Sequence, residues 1–165
     1  MQPLLVVMGV TGSGKSTVGE LLAASLGIPF ADADGLHSVA NVQKMAAGHP
    51  LTDDDRWPWL HRVGEELRVH KSTGLVMACS ALKRVYRDAI LAVEPGTTFV
   101  LLDGSRDLLE RRLSQRHGHF MPQSLLDSQL DILEPLGSGE SGITVSIDAT
   151  PNEIVDGIRS KLAAL

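Results

Sequence analysis

Five short apolar runs recur along the chain, at 4–8, 28–31, 75–79, 99–102 and 143–147. Most of them do not alternate with polar residues. That is how strands buried on both faces read, as in a parallel sheet covered by helices. The stretches between them carry apolar residues at helical spacing. Residues 16–26 hold Val18, Leu21, Leu22 and Leu26, and residues 60–69 hold Leu60, Val63 and Leu67. Residues 108–113 and 124–133 follow the same period. Two helix starts carry capping signals: Thr52 with Asp55 three residues on, and Thr150 with Glu153, where Pro151 takes the first helical position. Strands alternating with helices predict right-handed βαβ units and an α/β fold, three layers (α/β/α) around a five-stranded parallel sheet. There is no internal repeat. The GSGESG stretch at 137–142 reads as a flexible loop before the last strand, too short for an interdomain linker. Residues 1–165 therefore read as a single domain.

Composition narrows the classes. With 165 residues and 43% hydrophobic content a full core can form, and with only 4% aromatics it must be built mainly from aliphatic side chains and Met. A net charge of -5 argues against nucleic acid as a partner, because phosphate backbones select basic surfaces. It leaves room for a nucleotide, which needs only a few local cations. The single cysteine, Cys79, excludes an internal disulfide and suits a reducing compartment. The apolar start MQPLLVVMGV has no basic flank and runs straight into glycines, so it reads neither as a signal peptide nor as a membrane span. The expectation is a soluble cytoplasmic protein with no membrane partner.

Residues 9–16 read GVTGSGKS, a full G-x-x-x-x-G-K-[ST] phosphate-binding pattern placed between an apolar strand and an amphipathic helix. Glycine lets the loop fold tightly enough for its N–H groups to face phosphate oxygens, and the helix dipole adds to the pull. Gly12, Ser13, Gly14, Lys15, Ser16 and Thr17 are the expected ATP-binding residues. Lys15 would reach the β- and γ-phosphates, and the Ser16 hydroxyl would bind Mg²⁺. A guanine-reading N-K-x-D is absent; the nearest approach, NVQK at 41–44, lacks the aspartate. A motor-type apolar strand ending in Asp-Glu is absent too. These gaps favour a compact kinase with a small acceptor. The stretch PFADADGLH then acquires a meaning. Residues i and i+2 of a strand face one side, so Asp32 and Asp34 are expected to point together from the carboxyl end of the second strand. One carboxylate can hold the water shell of Mg²⁺, and the other can accept the proton of an attacking hydroxyl. The competing reading is that both only cap the helix that follows.

The segments GVTGSGKST, DADGLH, NVQKMAAGHPLTDDDRWPWL, CSALKRVYRD and RHGHFMP resemble, in order, the motifs of the gluconate kinase family, over roughly residues 5–148. LTDDDRWPWL is the most distinctive of them. The resemblance implies a P-loop kinase related to shikimate and nucleoside monophosphate kinases, moving the γ-phosphoryl group of ATP to the 6-hydroxyl of D-gluconate. It implies Asp34 as general base and Asp32 as a magnesium contact, although the sequence itself allows the reverse. It places His37, Arg56, Lys83 and Arg87 at the acceptor with Asp34, the cations for its carboxylate. ERRLSQRHGHFMP resembles a mobile lid, at about 114–124. Arg112 and Arg116 flank its start, one to stack on adenine and the other, Arg116, to reach the transferring phosphate. A homodimer is implied as well. The His117–His119 pair lacks the partners a metal site needs. Trp57 and Trp59 read mostly as packing, and Cys79 as a small buried apolar residue. The nearest rival is a kinase for another small acceptor such as shikimate, in which a glycine triplet is typical where this chain has CSALK. A non-catalytic nucleotide-sensing module would not need the acid pair or the acceptor cations.

Overall fold

The computed structural model describes residues 2–115 and 123–165. The strands are β1 (Leu4–Met8), β2 (Phe30–Asp32), β3 (Leu75–Ala78), β4 (Thr98–Asp103) and β5 (Gly142–Ser146). They form one parallel sheet in the order β2-β3-β1-β4-β5. The helices are α1 (Lys15–Leu26), α2 (Val39–Ala46), α3 (Asp53–Val69), α4 (Arg84–Val93), α5 (Arg106–Ser114), α6 (Gln123–Ile132) and α7 (Pro151–Ala163).

Successive residues of β1 serve different layers. Leu5 and Val7 face a core that includes Val18 and Leu22 of α1 and Ile154 and Ile158 of α7. Leu4, Val6 and Met8 face a second core with Leu60, Val63 and Leu67 of α3 and Ile90 of α4. All five β1 residues are buried, which is why this strand shows no polar alternation. The edge strand β5 does alternate, burying Ile143 and Val145 and exposing Thr144 and Ser146. Helices α3 and α4 approach closely at Gly64, where a Cβ would lie 2.6 Å from Val93. Both expected capping boxes form, at Thr52/Asp55 and at Thr150/Glu153.

Two local expectations are corrected. Strand β2 ends at Asp32, and Ala33–Leu36 forms a 3₁₀ turn, so Asp32 and Asp34 are not strand neighbours on one pleat. The glycine-rich loop at 137–142 is pinned rather than flexible. The Glu140 carboxylate turns inward, accepts the Gly137 N–H at 2.8 Å and pairs with buried Arg87.

The topology fixes where a ligand can sit. Strand β1 is central, with the later strands β3 and β4 on either side of it. The loops leaving the carboxyl ends of β1, β2 and β3 therefore meet at one edge, the usual ligand crevice of an open α/β sheet.

Candidate active site

The loop after β1 is a nest of backbone donors that opens α1. Gly14, at the N-cap of α1, has φ 90, a left-handed conformation that favours glycine. The Ser13 hydroxyl donates to the Val10 carbonyl at 2.7 Å, and Ser13 is fully buried, so it shapes the loop from inside. Lys15 Nζ donates to the same carbonyl at 3.1 Å, which folds the lysine back over the loop. Ser16 and Thr17 follow in the first turn of α1, both exposed.

Asp32 closes on this cradle from the neighbouring strand end. Its Oδ2 accepts the Ser16 hydroxyl at 3.1 Å, and its Oδ1 accepts the Asp34 N–H at 2.9 Å. Asp32 thus caps the 3₁₀ turn and faces the cradle at once; the capping reading and the site reading both hold. The turn sets Asp34 facing the same space. Asp34 keeps an exposed face and lines the cleft. Desolvation there and the negative charge of Asp32 raise its pKa, while Lys15 and His37 pull it back down. Trp59 braces the turn from beneath by donating its indole N–H to the Ala33 carbonyl at 2.8 Å.

A cavity of about 270 Å³ lies between these parts. Gly12, Gly14, Lys15 and Ser16 line it from the cradle, Asp32 and Asp34 from the second strand end, and Ser80 from the third. Cys79 lines it too, but burial pushes its thiol up to about 12, so it stays a thiol at physiological pH. Two further lining residues, Thr11 and Gln129, are among those that sequence reasoning missed. The Gln129 side-chain carbonyl accepts the Thr11 N–H at 2.6 Å.

Of the expected acceptor cations, His37 packs on Trp59, and Arg56 and Lys83 gather at Tyr86. The His37 ring stacks on Trp59 with centroids 4.2 Å apart. His37 closes the 3₁₀ turn ahead of α2. Desolvation lowers its pKa, Asp34 opposes that, and Arg56 adds to it, so the ring is neutral near pH 7. Arg56 Nη1 donates to Asp53 at 3.2 Å and to the Tyr86 hydroxyl at 3.1 Å. The Tyr86 hydroxyl donates in turn to Asp53 at 2.6 Å. Arg56 and Lys83 both lie against the Tyr86 ring, at 5.4 and 5.6 Å from its centroid. Tyr86 is thus a shared platform for two predicted acceptor cations.

Arg87 is elsewhere, and its expected contact with the acceptor is corrected. The side chain is fully buried. Nε and Nη2 hold the Glu140 carboxylate at 2.7 and 3.1 Å; Nη1 donates to the Ala81 and Leu82 carbonyls, and Nη2 also to Glu134. With those bonds made, no donor is left for a ligand. Arg87 instead braces the turn after β3, where Ala81 adopts φ 43, a strained value for a residue with a Cβ. That turn sets Ser80 at the cavity, so the arginine shapes the site from behind. Arg112 donates to the Ile147 carbonyl, and its guanidinium lies beside Gly14 at the front of α1. Arg116 and the core of the expected lid fall outside the described residues, as do His117 and His119.

The shikimate kinase family profile matches residues 11–131. A probable gluconokinase from Xenopus tropicalis is 43% identical, covering 96% of this chain and 93% of its own. The gluconokinase of Gluconobacter oxydans is 48% identical over 92% of this chain and 86% of its own. The crystal structure of a gluconokinase from Sinorhizobium meliloti superposes with a TM-score of 0.89 at 47% identity, covering 98% of this chain and 92% of that one. The phosphate cradle and acid pair stand on a scaffold matched to gluconokinases along nearly its whole length, so the chain belongs to the gluconokinase family of P-loop small-molecule kinases.

Proposed function

We propose that the protein transfers the γ-phosphoryl group of ATP to the 6-hydroxyl of D-gluconate, giving 6-phospho-D-gluconate and ADP. The observation that carries this reading is the shared cavity. Lys15 of the cradle and Asp34 of the acid turn line one space, His37 feels both Asp34 and Arg56, and Arg56 and Lys83 share the Tyr86 ring. A linear sugar acid suits that layout. Its terminal hydroxyl meets Asp34 while its carboxylate reaches the cations on Tyr86. The acceptor oxygen attacks the γ-phosphorus, its proton passes to an Asp34 carboxylate oxygen, and the bond from phosphorus to the β–γ bridging oxygen breaks to release ADP. A raised pKa makes Asp34 a better proton acceptor than an ordinary carboxylate. Lys15 steadies charge on the phosphate oxygens, and Arg112 flanks the cradle on the nucleotide side.

The Ser16 hydroxyl and the Asp32 carboxylate, already 3.1 Å apart at the mouth of the cradle, form the hard-oxygen pair that suits Mg²⁺ with several retained waters. When bound there the ion would neutralise phosphate charge. The same reading takes residues 1–165 as one kinase unit acting in the cytoplasm as a homodimer. Among the described residues, no helix is long and apolar enough to cross a membrane. Light scattering on the purified protein tests the dimer.

A coupled ADP-release assay over gluconate, shikimate, other sugar acids and nucleoside monophosphates tests the substrate. Gluconate should give by far the highest kcat/KM. Strong turnover with shikimate or a monophosphate alone would overturn the assignment.

A further inference from the structure

Gln129 has no role in the reading above, yet it is built into the site from a distance of 118 residues along the chain. It rides on α6, which is anchored through Leu126 and Leu130 and, just past its end, through Glu134. Leu126 is fully buried in the core against α1 and α7, and Leu130 packs against the same cluster. Just past the helix the Glu134 N–H donates to the Leu82 carbonyl at 2.8 Å, and the Glu134 carbonyl accepts from buried Arg87 at 3.0 Å. The side chain of Gln129 therefore stands on a helix anchored to the core and to the turn after β3. Its carbonyl oxygen takes the N–H of Thr11, the cradle residue just ahead of Gly12, and the side chain lines the same cavity as the acid pair.

The position within the cavity decides what Gln129 can do. Gly14, Lys15 and Ser16 lie at the helix front, where the inner phosphates of a nucleotide are held. Asp32, Asp34 and Ser80 lie where the acceptor enters. Thr11 and Gln129 line the one cavity that holds both groups, the space that phosphoryl transfer needs. A neutral amide suits that place. It can satisfy a backbone donor without adding negative charge next to the phosphoryl oxygens, as a carboxylate would.

We propose that Gln129 is a positioning residue for phosphoryl transfer, fixing the front of the phosphate cradle through the Thr11 N–H and standing beside the γ-phosphoryl group rather than the nucleoside. This rests on the kinase reading above, and the test separates the two. Wild-type protein is titrated calorimetrically with Mg-ATP and Mg-ADP and assayed with gluconate. If it neither binds ATP nor turns over any acceptor, the kinase reading fails first. With wild type active, Gln129→Glu keeps an acceptor for Thr11 but adds a charge. It should weaken ATP binding about tenfold or more while ADP binding changes less than about threefold. Gln129→Met removes the acceptor without adding charge, and should lower kcat about tenfold with ADP affinity and melting temperature kept. Equal changes for ATP and ADP in Gln129→Glu, or no change in either, would overturn the placement. Should Gln129→Glu fail to fold, Gln129→Met decides alone: kcat within twofold of wild type would overturn the proposal.

Discussion

Two arginines, Arg56 and Arg87, flank one tyrosine and differ in almost every other respect. Arg56 is half-buried, and among the described residues its guanidinium makes hydrogen bonds through Nη1 alone, to Asp53 and the Tyr86 hydroxyl. Arg87, one residue after Tyr86, is fully buried and uses every nitrogen on Glu140 and three backbone carbonyls. Both belong to motifs shared with the gluconate kinase family, and both carry the same charge. The difference is how much of the donor set remains for a ligand. An arginine whose fork is filled by the protein is scaffold. One held by an edge, beside a second cation and a neutral histidine, is available to an incoming carboxylate.

The largest effect should come on the ligand side, at Asp34. Asp34→Asn keeps the size and the 3₁₀ turn, because Asp32 accepts the backbone N–H of residue 34 and not its side chain. Turnover of gluconate should fall by about 10²–10⁴ as the proton acceptor is lost. Melting temperature and ATP binding should stay near wild type. Steady-state kinetics with a thermal melt check this, and near-normal kcat would remove Asp34 as the base. Arg87→Ala should show the opposite profile. It leaves the Glu140 carboxylate buried at 3% exposure without its cation, a loss of about 3–5 kcal/mol in stability. Chemical denaturation measures it. A variant of normal stability that lost only gluconate affinity would move Arg87 back to the acceptor site.

That contrast also separates what the sequence told from what it hid. The central strands β1 and β3 were legible because a strand buried on both faces has to be apolar throughout, and each buries every residue. The cradle was legible because its chemistry needs glycines and a lysine at fixed spacing. The roles of Arg56 and Arg87 were not separable. Both follow from partners distant in sequence: Glu140 is 53 residues from Arg87, and Tyr86 is 30 from Arg56. Gln129 was hidden for the same reason, since a lone glutamine on an amphipathic helix carries no pattern. The acid pair was found with the wrong local geometry. Alternation along a strand and a cap on a 3₁₀ turn both bring i and i+2 together, and the short strand β2 stops before the second aspartate.

A smaller effect sharpens the ligand side. If Arg56 receives the acceptor carboxylate, Arg56→Ala should raise KM for gluconate by about 10–100-fold, the worth of one charge-assisted hydrogen bond. The KM for ATP should hardly change. A neutral polyol of the same length gives the control, since weak turnover of sorbitol should be indifferent to the substitution. Equal losses with both acceptors would mean that Arg56 supports the fold of the α3 start through Asp53 and Tyr86 and does not read charge.

The smallest effect is one of pH, and the two sides should respond to it in opposite senses. Asp34 has its pKa raised by desolvation and by Asp32. Glu140 has its pKa lowered, first by the hydrogen bonds from Arg87 and further by the Gly137 N–H. A carboxylate held below its usual value binds fewer protons folded than unfolded. Its stabilising contribution is therefore complete above the ordinary glutamate value of 4.5 and is lost as pH falls through the lower folded value. Melting temperature of the wild type should thus drop on acidification below 4.5. Glu140→Gln, already less stable at neutral pH, should lack that part of the drop, so the two curves converge in acid. Parallel curves would show that the proton goes elsewhere and that the buried pair is not the acid-sensitive part of the scaffold. For Asp34 the sign is reversed. Its raised value means that the folded state holds the proton more firmly than the unfolded chain does, so ionising it at neutral pH costs stability where the Glu140 pair adds it. Asp34 is thus tuned against stability and Glu140 for it, the difference between a carboxylate kept for a ligand and one spent on the scaffold.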